Sequence, residues 1–248
     1  QGADEQLAGY GGNDLALYAG LLGNKKFRSL LEEARNYKQV NGGWPYGFLL
    51  GAMQLHYGPG FSKILPERLR LRKAGPVDWL NNDVTSGIYD LPAKSLQENL
   101  LRQLYSEPLP ALLRYEDHNS MAWSVESRTP FMDYRLLEFT LGLPESFVYY
   151  KGERKTILRH AMHGILPASV ENRKDKMGFV TPEELWLKEE GLEWFREGVE
   201  DTLRLLPEMF NEDKVRKLFT DTVDGAVPFD FTIWRILCFG KWYASMIK

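Results

Sequence analysis

A mostly α-helical chain is predicted from three observations. Runs with the two-residue alternation of strands are scarce, and no Val- or Ile-rich run bounded by turns announces a parallel strand. Apolar residues recur instead at helical spacing behind capping residues. The longest apolar-rich stretch, Phe229 to Ile247, is interrupted by Arg235 and Lys241, so it reads as a core helix and not a membrane span.

The elements follow in chain order. A helix start at Asp4 precedes the stop signals Gly9, Gly11 and Gly12. Residues 40–94 hold Gly42, Gly43, Pro45, Gly51, Gly58, Pro59, Gly60, Pro66, Gly75, Pro76, Gly87 and Pro92, which predicts irregular chain or short, broken helices. Arg68, Arg70, Arg72 and Lys73 within it read as a solvated face or a phosphate contact. Ser95 to Glu98 forms a capping box ahead of Leu96, Leu100, Leu101 and Leu104. Asp133 caps a stripe of Leu136, Leu137, Phe139 and Leu141 that Pro144 ends. A helix over 153–163 carries Lys155, Ile157, Leu158, Ala161 and Met162, and stops at Gly164. Residues 171–181 form a polar loop. Thr181-Pro182-Glu183-Glu184 then opens the helical tail, read as 183–204, 212–220 and 229–247. No linker divides the chain, so residues 1–248 are read as one domain.

Composition narrows the function. The 248 residues carry 31 basic and 34 acidic side chains, so the formal net charge is −3 and there is no field for a general nucleic-acid binder. The single cysteine, Cys238, excludes an intrachain disulfide and a cysteine-based zinc site, and fits a reducing, cytoplasmic setting. The four histidines lack the HExxH spacing of a metal helix, although His160 and His163 lie three apart.

Three segments have a composition suited to chemistry. Gln1-Gly2-Ala3-Asp4-Glu5, followed by Gly9-Tyr10-Gly11-Gly12, combines small residues with an acidic pair that could hold Mg²⁺ beside phosphate; the plainer reading is a capped helix and its stop. In residues 114–133, Arg114, Glu116, Asp117, Glu126, Arg128 and Asp133 interleave with Met121, Trp123, Val125 and Phe131. Such mixing predicts partial burial, either in an ion-pair network or in a substrate pocket. Lys155 and the run Arg173 to Phe179, with Lys176 beside Met177-Gly178, place positive point charges as phosphoryl chemistry requires; the plainer reading is a basic loop that faces solvent, as such loops usually do.

In this order the three segments resemble a family pattern. LLRYEDHNSM…ESRTPFMD at 112–133, with GADE…GYGG before it and GERKTILRHAM…LP…RKDKMGF after it, is similar to the synthetase domain of glutamine-dependent asparagine synthetases. The likeness runs from Gln1 to about Trp186. It implies an ATP- and Mg²⁺-dependent ligase. In such enzymes an aspartate carboxylate attacks the α-phosphorus and expels pyrophosphate. Ammonia from glutamine then displaces AMP, giving asparagine. By resemblance Lys155 and Lys176 are catalytic, facing the pyrophosphate, and Asp4 is the magnesium ligand. Gln1, Gly2, Asp117, Glu126 and Arg128 fall near the amino-acid and acyl-acceptor pocket. In the similar β-lactam synthetases a tyrosine near the position of Gln1 helps deprotonate an amine; glutamine cannot act as a base, which favours ammonia.

Two parts of that pattern are absent. The phosphate loop SGGxDS has only Asn41-Gly42-Gly43-Trp44 as a counterpart, and there is no N-terminal cysteine nucleophile. A glycine is expected ahead of Gln1. The resemblance therefore implies the helical C-terminal portion of a PP-loop synthetase domain whose parallel sheet lies upstream of residue 1. A phosphate-loop half and a glutaminase domain would be its partners, and the isolated chain would be inactive. The apolar C-terminal helix is a candidate surface for that half or for a second subunit of a homodimer. The alternatives are a β-lactam or lasso-peptide-type macrolactam synthetase, and a non-catalytic scaffold half.

Overall fold

The computed structural model describes residues 1–66, 69, 78–81, 93–173 and 181–247, and most of them are helical. They fall into two compact units: residues 1–66, 69 and 93–173 in the first, and 78–81 and 181–247 in the second. The basic cluster Arg68, Arg70, Arg72 and Lys73, and the loop residues from Lys174 to Phe179, lie outside the described residues.

The first unit contains α1 (Ala3–Gln6), α2 (Gly12–Gly23), α3 (Phe27–Asn41), α4 (Tyr46–Ile64), α5 (Leu96–Tyr105) and α6 (Leu109–Met121). A 3-10 turn at Pro130–Met132 leads to α7 (Tyr134–Leu141), α8 (Glu145–Val148), the hairpin strands β1 (Tyr149–Tyr150) and β2 (Glu153–Arg154), α9 (Thr156–Ala161) and α10 (Ala168–Glu171). The hub is α2, apolar nearly all round and therefore buried. Its Leu17 packs in one cluster with Leu96, Leu100 and Val148, and its Tyr18 and Leu22 in another with Ala34 and Ala52.

The cap at Ser95 forms as expected: its Oγ accepts from the Glu98 amide at 3.2 Å. The Glu98 carboxylate accepts from the Lys94 amide at 2.9 Å. Leu96, Leu100 and Leu104 are buried behind it, while Leu101 faces out.

Several expectations are corrected. The Gly- and Pro-rich stretch is not broken up over its first part, because α4 runs through Gly47, Gly51 and Gly60 with a kink at Gly58 (φ 73°). Its small residues Gly51 and Ala52 are buried where α4 lies on α2, and that close packing offsets the poor helix propensity. Gly42 is the left-handed C-cap of α3, so Asn41-Gly42-Gly43-Trp44 is a helix stop. Asp133 does cap α7, accepting from the Arg135 amide at 2.9 Å, but Leu136 and Phe139 are exposed and only Thr140 of that helix is buried. The helix predicted over 153–163 is shorter: Glu153 and Arg154 pair with Tyr150 and Tyr149. Lys151 and Gly152 are both left-handed (φ 52° and 77°), the two-residue turn whose twist suits a hairpin.

The second unit contains α11 (Glu183–Lys188), α12 (Leu192–Leu205), α13 (Glu212–Val223) and α14 (Thr232–Met246). The helix expected over 183–204 is two helices. The break sits at Gly191, whose added Cβ would lie 2.8 Å from the Trp186 carbonyl oxygen. Thr181 does not cap α11; its hydroxyl donates to the Glu183 carboxylate and Pro182 takes the cap position. Leu187, Phe195, Val199, Leu203, Val215 and Ile233 form the core. Glycines bring α12 and α14 together: the space a Cβ would take at Gly240 is filled by the Thr202 side chain. Cys238 is exposed on α14. Among the described residues no helix is long and apolar enough to cross a membrane.

Glu200 and Arg216 tie α12 to α13 through two bonds of 2.9 Å. The guanidinium holds the Glu200 carboxyl below the usual range. A carboxyl lowered in the folded state adds stability above its unfolded pKa and loses it as pH falls through the folded one. Glu200→Gln should therefore lower stability at neutral pH by up to about 1 kcal/mol, since the pair is part-exposed. In urea melts the deficit should shrink as the pH is lowered from about 7 into the acid range; a deficit that does not change with pH would contradict this origin.

Candidate active site

The site is built on the first turn of the chain. Gly2 has φ 97°, and a Cβ there would lie 2.7 Å from the Met132 sulfur, so no larger residue fits. The buried Glu5 carboxylate accepts from the Gly2 amide at 3.1 Å and from the Tyr10 hydroxyl at 2.5 Å. Burial, and then the bond to Glu5, raise the Tyr10 hydroxyl above the usual phenol range, so it stays a donor at neutral pH. Gln6 is buried as well. Its Nε2 donates to the Phe131 carbonyl and its Oε1 accepts from Thr140 Oγ1 at 3.0 Å, fastening α1 to the 3-10 turn and α7.

Asp4 faces outward from this framework. Its Oδ1 lies 2.7 Å from Lys155 Nζ, with both side chains part-buried. Lys155 is not inside a helix as expected. It is the N-cap residue of α9, left-handed at φ 57°, and its amide donates to the Leu7 carbonyl at 3.0 Å. That conformation costs a non-glycine residue about 1–2 kcal/mol and must be held by its surroundings. Ala8, also left-handed, turns the chain back so that Gly9 lies against the pair. A Cβ at Gly9 would fall 1.7 Å from Asp4 Oδ1 and 2.6 Å from Lys155 Cε.

Gly9→Ala should therefore separate the pair. The atoms it meets are side-chain atoms that can yield, so the stability loss should stay near 1 kcal/mol. A crystal structure of the variant with Nζ and Oδ1 still within hydrogen-bonding distance would contradict this.

Beneath Lys155 lies a polar cluster. Asp14, fully buried on α2, accepts from the Tyr149 hydroxyl at 2.6 Å and from Arg154. Burial raises the Asp14 carboxyl, with Tyr149 and Arg154 pulling it down. The Glu33 carboxylate accepts from the Gly152 amide and so holds the hairpin turn.

The other predicted residues divide. Gln1 is exposed, and its side chain is one of the groups that draw the Glu116 carboxyl down. Ser127 donates to Glu116 at 2.5 Å, and this bond first, then the Gln1 side chain, holds the carboxyl below its usual range. Glu126 and Arg128 flank Ser127 but are exposed and pair with each other at 2.9 Å. Asp117 is exposed on α6. The structure thus links Asp4 to Lys155 and Gln1 to Glu116, and joins Asp117, Glu126 and Arg128 to neither pair. Lys176 lies outside the described residues. The partial burial expected for 114–133 is found at Glu116, Phe131 and Asp133, Phe131 packing on the cluster around Leu7 and Leu17, but not in the middle of the segment: Met121, Trp123 and Val125 are all more than half exposed, Trp123 at 83%.

Glu116, Gln6 and Asp14 carry more of the geometry than sequence reasoning gave them. Polar residues at 13 and 14 in the otherwise apolar α2 were the available signal for Asp14. Among the described residues no group of three His, Cys, Asp or Glu is arranged to hold a metal ion. Asp4 is a single carboxylate, which suits Mg²⁺ held mainly by substrate phosphates and water and not by a protein cage. His163 pairs with Glu171 at 2.5 Å on the surface.

Among the described residues these features define a helical unit that presents an ammonium–carboxylate pair on a hydrogen-bonded turn. The chain belongs to the asparagine synthase family, whose model matches residues 1–244. It is 32% identical over 137 residues to glutamine-hydrolyzing asparagine synthetase 1 of Bacillus subtilis, covering 55% of this chain and 21% of that protein. It is 28% identical over 269 aligned positions, 100% of this chain and 39% of its relative, to a Mycobacterium bovis protein provisionally named a glutamine-hydrolyzing asparagine synthetase. The chain thus spans well under half the length of these relatives. No solved structure matches it.

Proposed function

We propose that residues 1–248 are the C-terminal helical portion of a PP-loop synthetase domain, in an ATP-dependent ligase that converts aspartate to asparagine. The observation that carries the reading is the Asp4–Lys155 pair at 2.7 Å in a chain of this family. Lys155 supplies positive charge where the pyrophosphate leaves, and Lys176 is assigned the same task from its place in the motif. Asp4 is the residue that would hold Mg²⁺, which supplies charge neutralisation to the phosphates. Asp4 accepts the Lys155 ammonium and orients it.

Gly2 gives the turn the close approach that a side chain would block. Gln1, beside Glu116, lines the acyl-acceptor side, with Asp117, Glu126 and Arg128 assigned to the same pocket from their place in the motif. Gln1 takes no proton, which favours ammonia as the nucleophile. Ammonia attacks the activated acyl carbon, AMP leaves, and a proton is lost from nitrogen. The phosphate-loop half and the glutaminase domain are proposed to lie elsewhere in a longer polypeptide.

The test is substrate dependence in that polypeptide. Aspartate alone should drive pyrophosphate release from MgATP, with asparagine formed when ammonia is added. Release driven by a larger β-amino acid or a peptide carboxylate, and not by aspartate, would point to the β-lactam or macrolactam alternatives. No release with any carboxylate would leave the scaffold reading.

A further inference from the structure

We propose that Asp14 is a positioning residue for Lys155, acting through Arg154 and Tyr149; the part of this that concerns ligands rests on the role given to Lys155 above. Asp14 has a completely buried carboxylate in the first turn of the central helix. A buried carboxylate is costly unless its partners are close, and an apolar residue would serve packing better. Its two oxygens go to different strands of the hairpin: Oδ1 to the Tyr149 hydroxyl on β1, Oδ2 to the Arg154 guanidinium on β2.

Lys155 follows Arg154 directly. Its backbone is strained into the left-handed region and held on the other side by the Leu7 carbonyl. The strand entering Lys155 is thus strung between Asp14 and Leu7, while Glu33 fixes the hairpin turn from a third direction. Three anchors hold the backbone on either side of Lys155, and Asp14 is the one that grips both strands. The consequence is an ammonium delivered to Asp4 ready-placed, so no ordering is left for the moment a diphosphate arrives.

The test uses the chain with Asp14→Asn, which keeps the size of the side chain and removes its charge. Amide hydrogen exchange is read at Lys155, at Leu22 in the same unit and at Leu203 in the other. Protection at Lys155 should fall by about tenfold or more while Leu22 and Leu203 keep theirs. Calorimetric titration with magnesium pyrophosphate should show affinity lowered about tenfold, as for loss of an outer-shell partner. Lys155→Ala added to Asp14→Asn should cost little more than either change alone. Leu104→Ala, which loosens packing of the same unit away from the hairpin, should leave the affinity unchanged.

Unaltered protection at Lys155, or equal loss at Leu22, would overturn the proposal. Additive losses in the double variant would do so too. If the unsubstituted chain binds no pyrophosphate, the functional reading loses support and the exchange result alone decides the positioning role. Should Asp14→Asn fail to fold, Arg154→Met must reproduce the selective loss at Lys155, since the Arg154 side chain reaches the surface; normal protection there refutes the idea.

Discussion

Under the proposed function, replacing Lys155 with alanine in the full-length ligase is expected to slow aspartate-dependent ATP–pyrophosphate exchange by about 10²–10³-fold, the usual cost of removing one donor from a site of developing negative charge. Three features set the size of the effect. The ammonium is held 2.7 Å from Asp4, so it is aimed before any substrate binds. Both side chains are part-buried, which strengthens their field relative to a solvent-facing pair. The left-handed backbone at Lys155 is maintained against its own cost, as expected where position matters more than stability. Glutamine hydrolysis by the proposed glutaminase domain should be untouched. Lys155→Arg should recover little, because a planar fork cannot replace a compact point charge in the space beside Gly9. Exchange within tenfold of the parent enzyme would show that Lys155 is not the charge donor.

The largest loss of stability is expected from Gly152→Val. At φ 77° any side chain is disfavoured and a β-branched one most of all. A Cβ there would also meet the Asn36 carbonyl carbon and oxygen and the Tyr37 Cα, each at 2.9 Å. Those are backbone atoms of α3 and cannot step aside. The left-handed penalty of about 1–2 kcal/mol then adds to an overpacking cost of about 1–3 kcal/mol. A urea melt should show about 3 kcal/mol or more lost. Gly164→Ala is the control: its φ is 73° but nothing lies within 4 Å of the added atom, so only the conformational part remains. Equal losses in the two variants would mean that α3 does not crowd the turn.

The helical class, the caps at Ser95 and Asp133, and the buried Leu96, Leu100 and Leu104 were legible because each follows from a pattern within one turn or two. The hairpin at 149–154 was not. Its strands are two residues each, too short for an alternation to register, and its turn is Lys-Gly where Asn-Gly or Asp-Gly would have signalled it. The long helix α4 was hidden for the opposite reason: glycine at Gly47 and Gly51 argues locally against helix, and only packing on α2 reverses the balance. At the site, the motif singled out Asp4 and Lys155, and the fold brings them together. Gln6 and Asp14 escaped notice because a buried polar residue looks the same in sequence as an exposed one; its partners, Thr140 and Tyr149, lie more than a hundred residues away.

Cys238 stands exposed on α14, and the chain has no other thiol. A maleimide dye attached there would carry a single label without any engineered background. Paired with a second fluorophore at a cysteine introduced in place of exposed Trp123, it would make a molecular ruler running from one unit to the other. Energy transfer along that ruler, with and without nucleotide, would report in real time whether the two units move as one piece or hinge.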